Sequence, residues 1–380
     1  MDALHAPPAA AQKEGAARAM KKRFVKILLG TLLLLAAVLI GYVIYVFAAY
    51  YRVEDNQVLD VEALGSAAAQ PEAGETYRIA SYNIGFGAYS NDYSFFMDGG
   101  KESRARSPEA VRENVTGAME TVKAIAPQLL LLQEVDVDGT RSYHINELEE
   151  LVDASLEELF ASRTFAQNYD SPYLFWPLTE PHGANRAGQA TYSVFPIDSG
   201  LRRQLPIEEG FMKLVDCDRC YSVQRIPLAG DGAELVVYNL HLSAYTSDGA
   251  IAEEQLQMLF DDMLAEYEKG NYAIAGGDFN KDLLGNSDQI FGVSGPAYTW
   301  AQPIPAALIP EGLSIAAPFD PEKPAASCRN ADRPYGPDNY RVTVDGFIVS
   351  ANVEVKTAQV WETGYRWSDH NPVYMDFVLR

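Results

Sequence analysis

The dominant pattern in the chain is an apolar run from Ile27 to Ala49, 23 residues without a charged side chain. As a helix it would be about 35 Å long, enough to cross a bilayer. Lys21, Lys22, Arg23 and Lys26 precede it; Arg52, Glu54 and Asp55 follow it. The positive-inside bias then places the N-terminus in the cytoplasm and the body of the chain outside the cell. Tyr42, Tyr45, Tyr50 and Tyr51 crowd the far end, as an interfacial aromatic belt would. Val46-Phe47-Ala48 resembles a signal-peptidase site, but the length of the run and of its leader favours an uncleaved anchor. The expected segmentation is a cytoplasmic tail over 1–26, disordered through residue 20, an anchor over 27–49, a polar linker over 50–76 and a folded body over 77–380.

Within the body, the period of the apolar positions switches repeatedly between two and 3.6 residues. Tyr77 to Asn83 alternates as a strand. Ser107-Pro108 caps a helix whose face is Val111, Val115, Ala118, Met119, Val122 and Ile125, ended by Pro127. Leu129 to Leu132 reads as a strand buried on both faces. Asn146 caps a second helix with Leu148, Leu151, Val152, Leu159 and Phe160 on one face. Strands follow at Tyr173–Trp176, Gly188–Phe195 and Glu234–Leu240, then an amphipathic helix over 251–268 stopped by Gly270. Tyr272 to Ala275, Thr343 to Ser350 and 372–379 are further strands, and the Pro-rich stretch 292–340 reads as a long irregular loop. Strands alternating with helices over some 300 residues, with no internal repeat, argue for one α/β domain.

Charge changes this picture in one respect. The whole chain holds 30 basic and 52 acidic side chains, a net −22. Removing the six basic and two acidic groups of residues 1–50 leaves 24 and 50, a net −26 for residues 51–380, linker and body together. Such a body does not gather nucleic acid by bulk electrostatics, and it favours metal cations. The three cysteines, Cys217, Cys220 and Cys328, lack a second Cys/His pair at zinc spacing. A local Cys217–Cys220 staple and free thiols both stay open.

Six strands carry polar groups with chemical use, five of them at their ends: Asn83, Glu134, His241, Asp278 with Asn280, and Asp369 with His370, while Asp345 lies among the apolar residues of its strand. Asp278 and Asn280 follow Gly276-Gly277, where the backbone can bend tightly and be approached closely. A Glu directly behind four leucines is costly unless a cation meets it. Two of the five histidines fall at strand ends.

The ordered set Ser-Tyr-Asn83, Leu-Gln-Glu134-Val, Asn-Leu-His241, Gly-Gly-Asp278-Phe-Asn280, Val-Asp345-Gly-Phe and Ser-Asp369-His370-Asn-Pro resembles the endonuclease/exonuclease/phosphatase superfamily, over roughly residues 77–380. The resemblance implies a four-layer α/β sandwich, two packed mixed sheets flanked by helices, with the site where the strand ends meet. It implies Glu134 as the principal Mg2+ ligand (Mn2+ being the alternative), with Asn83 and Asp369 beside it. Asp278 would orient or deprotonate the attacking water, and Asn280 would hold a phosphate oxygen. His370, fixed by Asp345, would be the catalytic histidine; His241 would donate to a non-bridging oxygen or assist the leaving group, though no acidic partner behind it can be matched. Elementary chemistry agrees: an anionic phosphodiester attacked by water requires charge neutralisation, water activation and proton handling near neutral pH.

Arg141, Asn168 and Arg329 are candidate substrate contacts, since a phosphate needs donors in so acidic a body. A surface or turn position explains each of them equally well. The substrates in contention are nucleic acid, a phospholipid (as for a sphingomyelinase-like phosphodiesterase) and a small phosphoester. A non-catalytic binding module on the same fold is the competing class.

Overall fold

The computed structural model describes residues 9–380 other than 157, 209, 211–212, 214–216, 231, 245–249 and 294–299, with side chains from residue 13 onward. Two compact units result, one through Tyr50 and one from Tyr51 to Arg380. The first is a single helix, Ala9–Ala49, long and apolar enough over Lys13–Ala49 to cross a membrane. It starts well before the expected anchor. Alanine has the highest helix propensity, and an existing apolar helix removes the nucleation cost of extending into an Ala-rich leader. Residues 1–8 of the expected disordered tail lie outside the described residues.

The second unit carries sixteen strands among the described residues: β1 Gln57–Leu59, β2 Glu62–Ala63, β3 Thr76–Asn83, β4 Leu129–Gly139, β5 Ser162–Asp170, β6 Asn185–Ser193, β7 Ser199–Gln204, β8 Cys220–Pro227, β9 Glu234–His241, β10 Tyr272–Asp278, β11 Leu313–Ala316, β12 Cys328–Arg329, β13 Arg341–Val342, β14 Asp345–Ser350, β15 Val353–Val360 and β16 Val373–Leu379. One seven-stranded sheet has the order β1-β7-β8-β9-β10-β14-β11, the other β15-β16-β3-β4-β6-β5-β2, and β12 pairs with β13 apart from both. Both large sheets are mixed: β9 and β10 are parallel in the first, β3 and β4 in the second.

The layers follow from which side chains face where. Leu129 and Leu131 of β4 point inward and meet Val237, Ile274, Phe347 and Val349 of the facing sheet. Leu130 and Leu132 point outward, onto Val111, Val115, Met119 and Val122 of the helix Pro108–Ile125. The four-leucine run is buried on both sides for this reason. On the far side, Leu256, Leu259, Phe260 and Met263 of the helix Ala250–Glu268 cover Val236, Tyr238, Ala273 and Ile348. Helix, sheet, sheet and helix make the four layers.

Four local expectations change. The polar stretch 50–76 supplies β1 and β2, and Val53 N–H donates to Asp218 Oδ2 at 3.1 Å. Polar, short strands are tolerated at sheet edges. The helix after Asn146 is a π-helical Glu147–Asp153 followed by the helical turn Ala154–Leu156, and Leu159 is exposed. Tyr173–Trp176 is a loop with one isolated bridge at Leu174, with Tyr173 half-buried and Phe175 and Trp176 exposed. The stretch 292–340 contains β11 and β12, with residues 294–299 outside the described set.

Candidate active site

Asp278 ends β10 and sits in one transverse row of its sheet, opposite His241 on parallel β9 and Asp345 on antiparallel β14. The two glycines before it allow this. Gly277 has φ 144°, and a Cβ there would lie 2.0 Å from Leu240 O; at Gly276 a Cβ would lie 2.7 Å from Leu131 Cδ1 of the other sheet. Only glycine permits both approaches. The end of β10 is thereby drawn against the ends of β3 and β4. Asn83 donates its amide to Asp278 Oδ2 at 3.2 Å and to Glu134 Oε1 at 3.1 Å, while its own Oδ1 accepts from Gly85 N–H at 3.0 Å.

Glu134 lies where the β4–β6 register breaks, between Leu132 and Val135, and has φ 55°. A bulge of this kind turns a side chain out of the ladder, and left-handed backbone at a non-glycine residue is a local strain that the surrounding ladder must hold. It aims the carboxylate into a cavity of about 230 Å³. Glu134, His241, Asp278, Asn280, Asp369, His370, Arg141, Asn168 and Arg329 all line that cavity; Asn83 and Asp345 stand behind it.

His370 Nδ1 is 2.7 Å from Asp345 Oδ2, which leaves Nε2 facing Asp278 Oδ2 at 3.8 Å and Asp369 Oδ1 at 4.0 Å. Burial works against a charged imidazole here, but the Asp345 carboxylate outweighs it and holds His370 well above the ordinary histidine value. The loop is fixed by Ser368, whose hydroxyl donates to Asn83 O at 2.8 Å and accepts from His370 N–H at 3.2 Å. His241 is the opposite case. Burial first, then the charges of Arg219, His370 and Arg141, push it well below the ordinary value, so its ring is neutral. Its Nε2 is 3.6 Å from Asp278 Oδ2 and 4.0 Å from Glu134 Oε1. Burial, with Asp345 adding to it, raises Asp278 to about 7, and burial raises Asp369 to about 6. Asn280, also left-handed at φ 50°, donates its N–H to Asp278 Oδ1 at 2.9 Å and its amide to Leu242 O at 2.8 Å.

The three candidate substrate contacts separate. Arg141 is buried, paired with Asp136 at 2.7 Å and stacked 3.9 Å over the Phe86 ring. Asn168 is buried, and its Nδ2 has no partner among the described residues. Arg329 donates to the carbonyls of Ser90, Tyr93 and Arg333, so its guanidinium is engaged in tying loops together at the cavity wall. Several participants were missed in the sequence. Arg219 and Lys213 line the cavity, Glu147 Oε2 accepts from Asp136 N–H at 3.0 Å, and Gln133 Nε2 donates to Asn239 Oδ1 at 2.8 Å, joining the sheets. Asn239 stood two residues before His241, where its inward face was the available signal. Cys217, Cys220 and Cys328 form no disulfide.

Residues 80–370 match the sequence pattern described as the Endonuclease/Exonuclease/phosphatase family. The chain belongs to this family. It is accordingly a phosphoester hydrolase. Among solved structures, an endonuclease/exonuclease/phosphatase from Beutenbergia cavernae is similar at 19% identity and TM-score 0.53, over 80% of this chain and 72% of that one. ANGEL2, a 2',3'-cyclic phosphatase in complex with adenosine-2',3'-vanadate, is similar at 16% identity and TM-score 0.52, over 84% and 98%. At such identities the likeness concerns the fold. No curated protein matches the sequence.

Family members generally depend on a divalent metal. The donors of this chain fit one. Glu134, Asp278 and Asp369 present carboxylate oxygens to one cavity, with Asp345 behind them, and a hard cation is held by oxygen ligands of this kind. Asp278, Asp345 and His370 also converge closely. Asp345 Oδ2 and His370 Nδ1 satisfy one another, however, so that trio reads as a hydrogen-bonded acid–base pair beside a carboxylate rather than as a cation cage.

Proposed function

We propose that this hydrolase is Mg2+-dependent (Mn2+ substituting) and cleaves a phosphodiester or phosphomonoester by in-line attack of water. Its N-terminal tail, 1–26, stays in the cytoplasm, residues 27–49 cross the membrane, and the catalytic unit lies outside. The observation that carries the catalytic reading is the row His241–Asp278–Asp345, closed by His370 on one side and by Asn83 and Glu134 on the other.

Glu134 and Asp369 would hold the cation, with Asn83 beside them. Bound there, it supplies charge neutralisation at a non-bridging phosphate oxygen. The chain's own groups do the rest. Asp278, ringed by Asn83, His241 and His370, accepts a hydrogen bond from the attacking water and takes its proton. His370, kept charged by Asp345, faces the phosphate as a cationic donor. His241, neutral, offers one ring N–H, and the remaining proton of the Asn280 amide is directed at a phosphate oxygen. Arg141, pre-stacked and pre-paired, and the unpartnered Asn168 amide orient the ester.

The net −26 of residues 51–380 and the membrane-length helix favour a lipid or small phosphoester over polymeric nucleic acid. The test is a panel of DNA, RNA, sphingomyelin and inositol phosphates, with Mg2+ and with EDTA. It requires the full chain, because truncation at residue 70 would remove β1, β2 and the Val53–Asp218 contact. Mg2+-dependent turnover of sphingomyelin above that of DNA supports the reading; turnover insensitive to EDTA refutes it.

A further inference from the structure

We propose that the loop 173–178 is a bilayer-docking wedge, seated in the headgroup–acyl boundary of the membrane that the chain's own apolar helix spans. The proposal rests on the reading of that helix as an anchor.

Phe175, Trp176 and Leu178 are 51%, 65% and 75% exposed, three large apolar side chains within four residues. Single exposed apolar residues are ordinary on a protein surface; a contiguous aromatic cluster marks a contact site. The loop is not a slack segment. Leu174 and Gly183 exchange backbone hydrogen bonds at 3.1 and 3.0 Å, and His182 N–H donates to Trp176 O at 3.1 Å. From the neighbouring loop, Ser103 N–H donates to Glu180 Oε2 at 3.0 Å and Arg104 Nε–H to Pro181 O at 2.5 Å. The base is pinned while the apolar tip stays in solvent.

The segment that follows the loop forms part of the cavity wall. His182 lines the cavity and its ring lies 6.4 Å from that of Phe95; Met97, 56% exposed, lines it as well. The loop is thus joined to a lining residue of the catalytic cavity by the His182–Trp176 backbone bond.

Three arguments select a bilayer as that occupant. Trp and Phe side chains are at home in the boundary zone, where an apolar ring meets hydrated headgroups. Only residues 50–52 join Ala49, the end of the apolar helix, to Val53, which is packed into the catalytic unit. A tether of about 14 Å at full extension keeps that unit at the membrane surface. Third, residues 51–380, of net −26, are repelled by anionic headgroups, so adhesion must come from apolar insertion, and a zwitterionic surface suits it best.

The experiment uses the full chain reconstituted in phosphatidylcholine vesicles, with lipids brominated either near the headgroup or at the bilayer centre. The chain has four tryptophans and none in the apolar helix, so the difference between wild type and Trp176→Phe isolates Trp176. The wedge predicts that shallow bromines quench a component carried by Trp176, that this component disappears in Trp176→Phe, and that Phe175→Ser/Leu178→Ser reduces it by roughly tenfold. Equal quenching of wild type and Trp176→Phe overturns the proposal. A chain that hydrolyses no phosphoester yet is quenched at Trp176 refutes the catalytic reading and keeps the wedge.

Discussion

Asn83, the last residue of β3, donates its amide to Asp278, the last residue of β10, at 3.2 Å, and so joins the ends of two strands from different sheets. The second proton of that amide goes to Glu134 at 3.1 Å. One neutral side chain thus separates two carboxylates that would otherwise repel across the seam. Asn83→Ala removes both bonds. The expected result is a roughly hundredfold loss of turnover with a stability cost of only about 1–2 kcal/mol, read from urea midpoints. Wild-type turnover would show that the amide is structural filler.

The approach of β10 to its neighbours depends on Gly277. Its φ of 144° and the 2.0 Å clearance from a would-be Cβ to Leu240 O leave no room for alanine. Gly277→Ala is expected to cost at least about 3 kcal/mol, because backbone rather than a flexible side chain must move. A urea midpoint within error of wild type would contradict the packing described.

Crowded carboxylates predict a response to cation that does not need activity. At a hundredfold excess over its Kd, Mg2+ is expected to stabilise the folded chain by about 3 kcal/mol, a rise of several degrees in Tm. Glu134→Gln and Asp369→Asn should each abolish most of that rise. An equal rise in both variants would place the cation elsewhere.

Glu266 gives a pH prediction remote from the cavity. Burial works to raise its pKa, but hydrogen bonds from Arg225, Lys269 and Asn271 outweigh it and hold it at about 2. A folded value below the unfolded one contributes stability that is complete above about pH 4.5 and is lost as the pH falls toward 2. Lys269 is exposed and Arg225 partly so, which reduces the contribution to about 1 kcal/mol. Comparing urea midpoints at about pH 6 and pH 3 should show a smaller acid loss in Glu266→Gln than in wild type. Equal losses would contradict this assignment.

Much of the fold was legible because its strands end abruptly. The run Leu129–Leu132 and the Gly276-Gly277 break announce buried strands, and the polar residues behind them announce a site. β7 and β8 were not legible. Their arginines interrupt the alternation, and Arg202 is fully buried only because it donates to the carbonyls of Gln167, Val53, Glu54 and Asp218, distant in sequence. Tyr173–Trp176 failed in the opposite direction: an aromatic run reads as a strand, yet Phe175 and Trp176 face solvent. Within the site, the residues expected as chemistry were visible as types. The arrangement behind Arg141 was not, since Asp136, Glu147 and Phe86 reach it from three separate segments.

The central claim is that Glu134 and His370 act in one metal-assisted hydrolytic site. The direct measurement is single-turnover cleavage of a generic phosphodiester by the full chain, with Mg2+ and with EDTA, in wild type, Glu134→Ala and His370→Ala, with circular dichroism confirming the fold. The account predicts a loss of at least about a hundredfold in each variant and in EDTA. Undiminished turnover in both folded variants would contradict it.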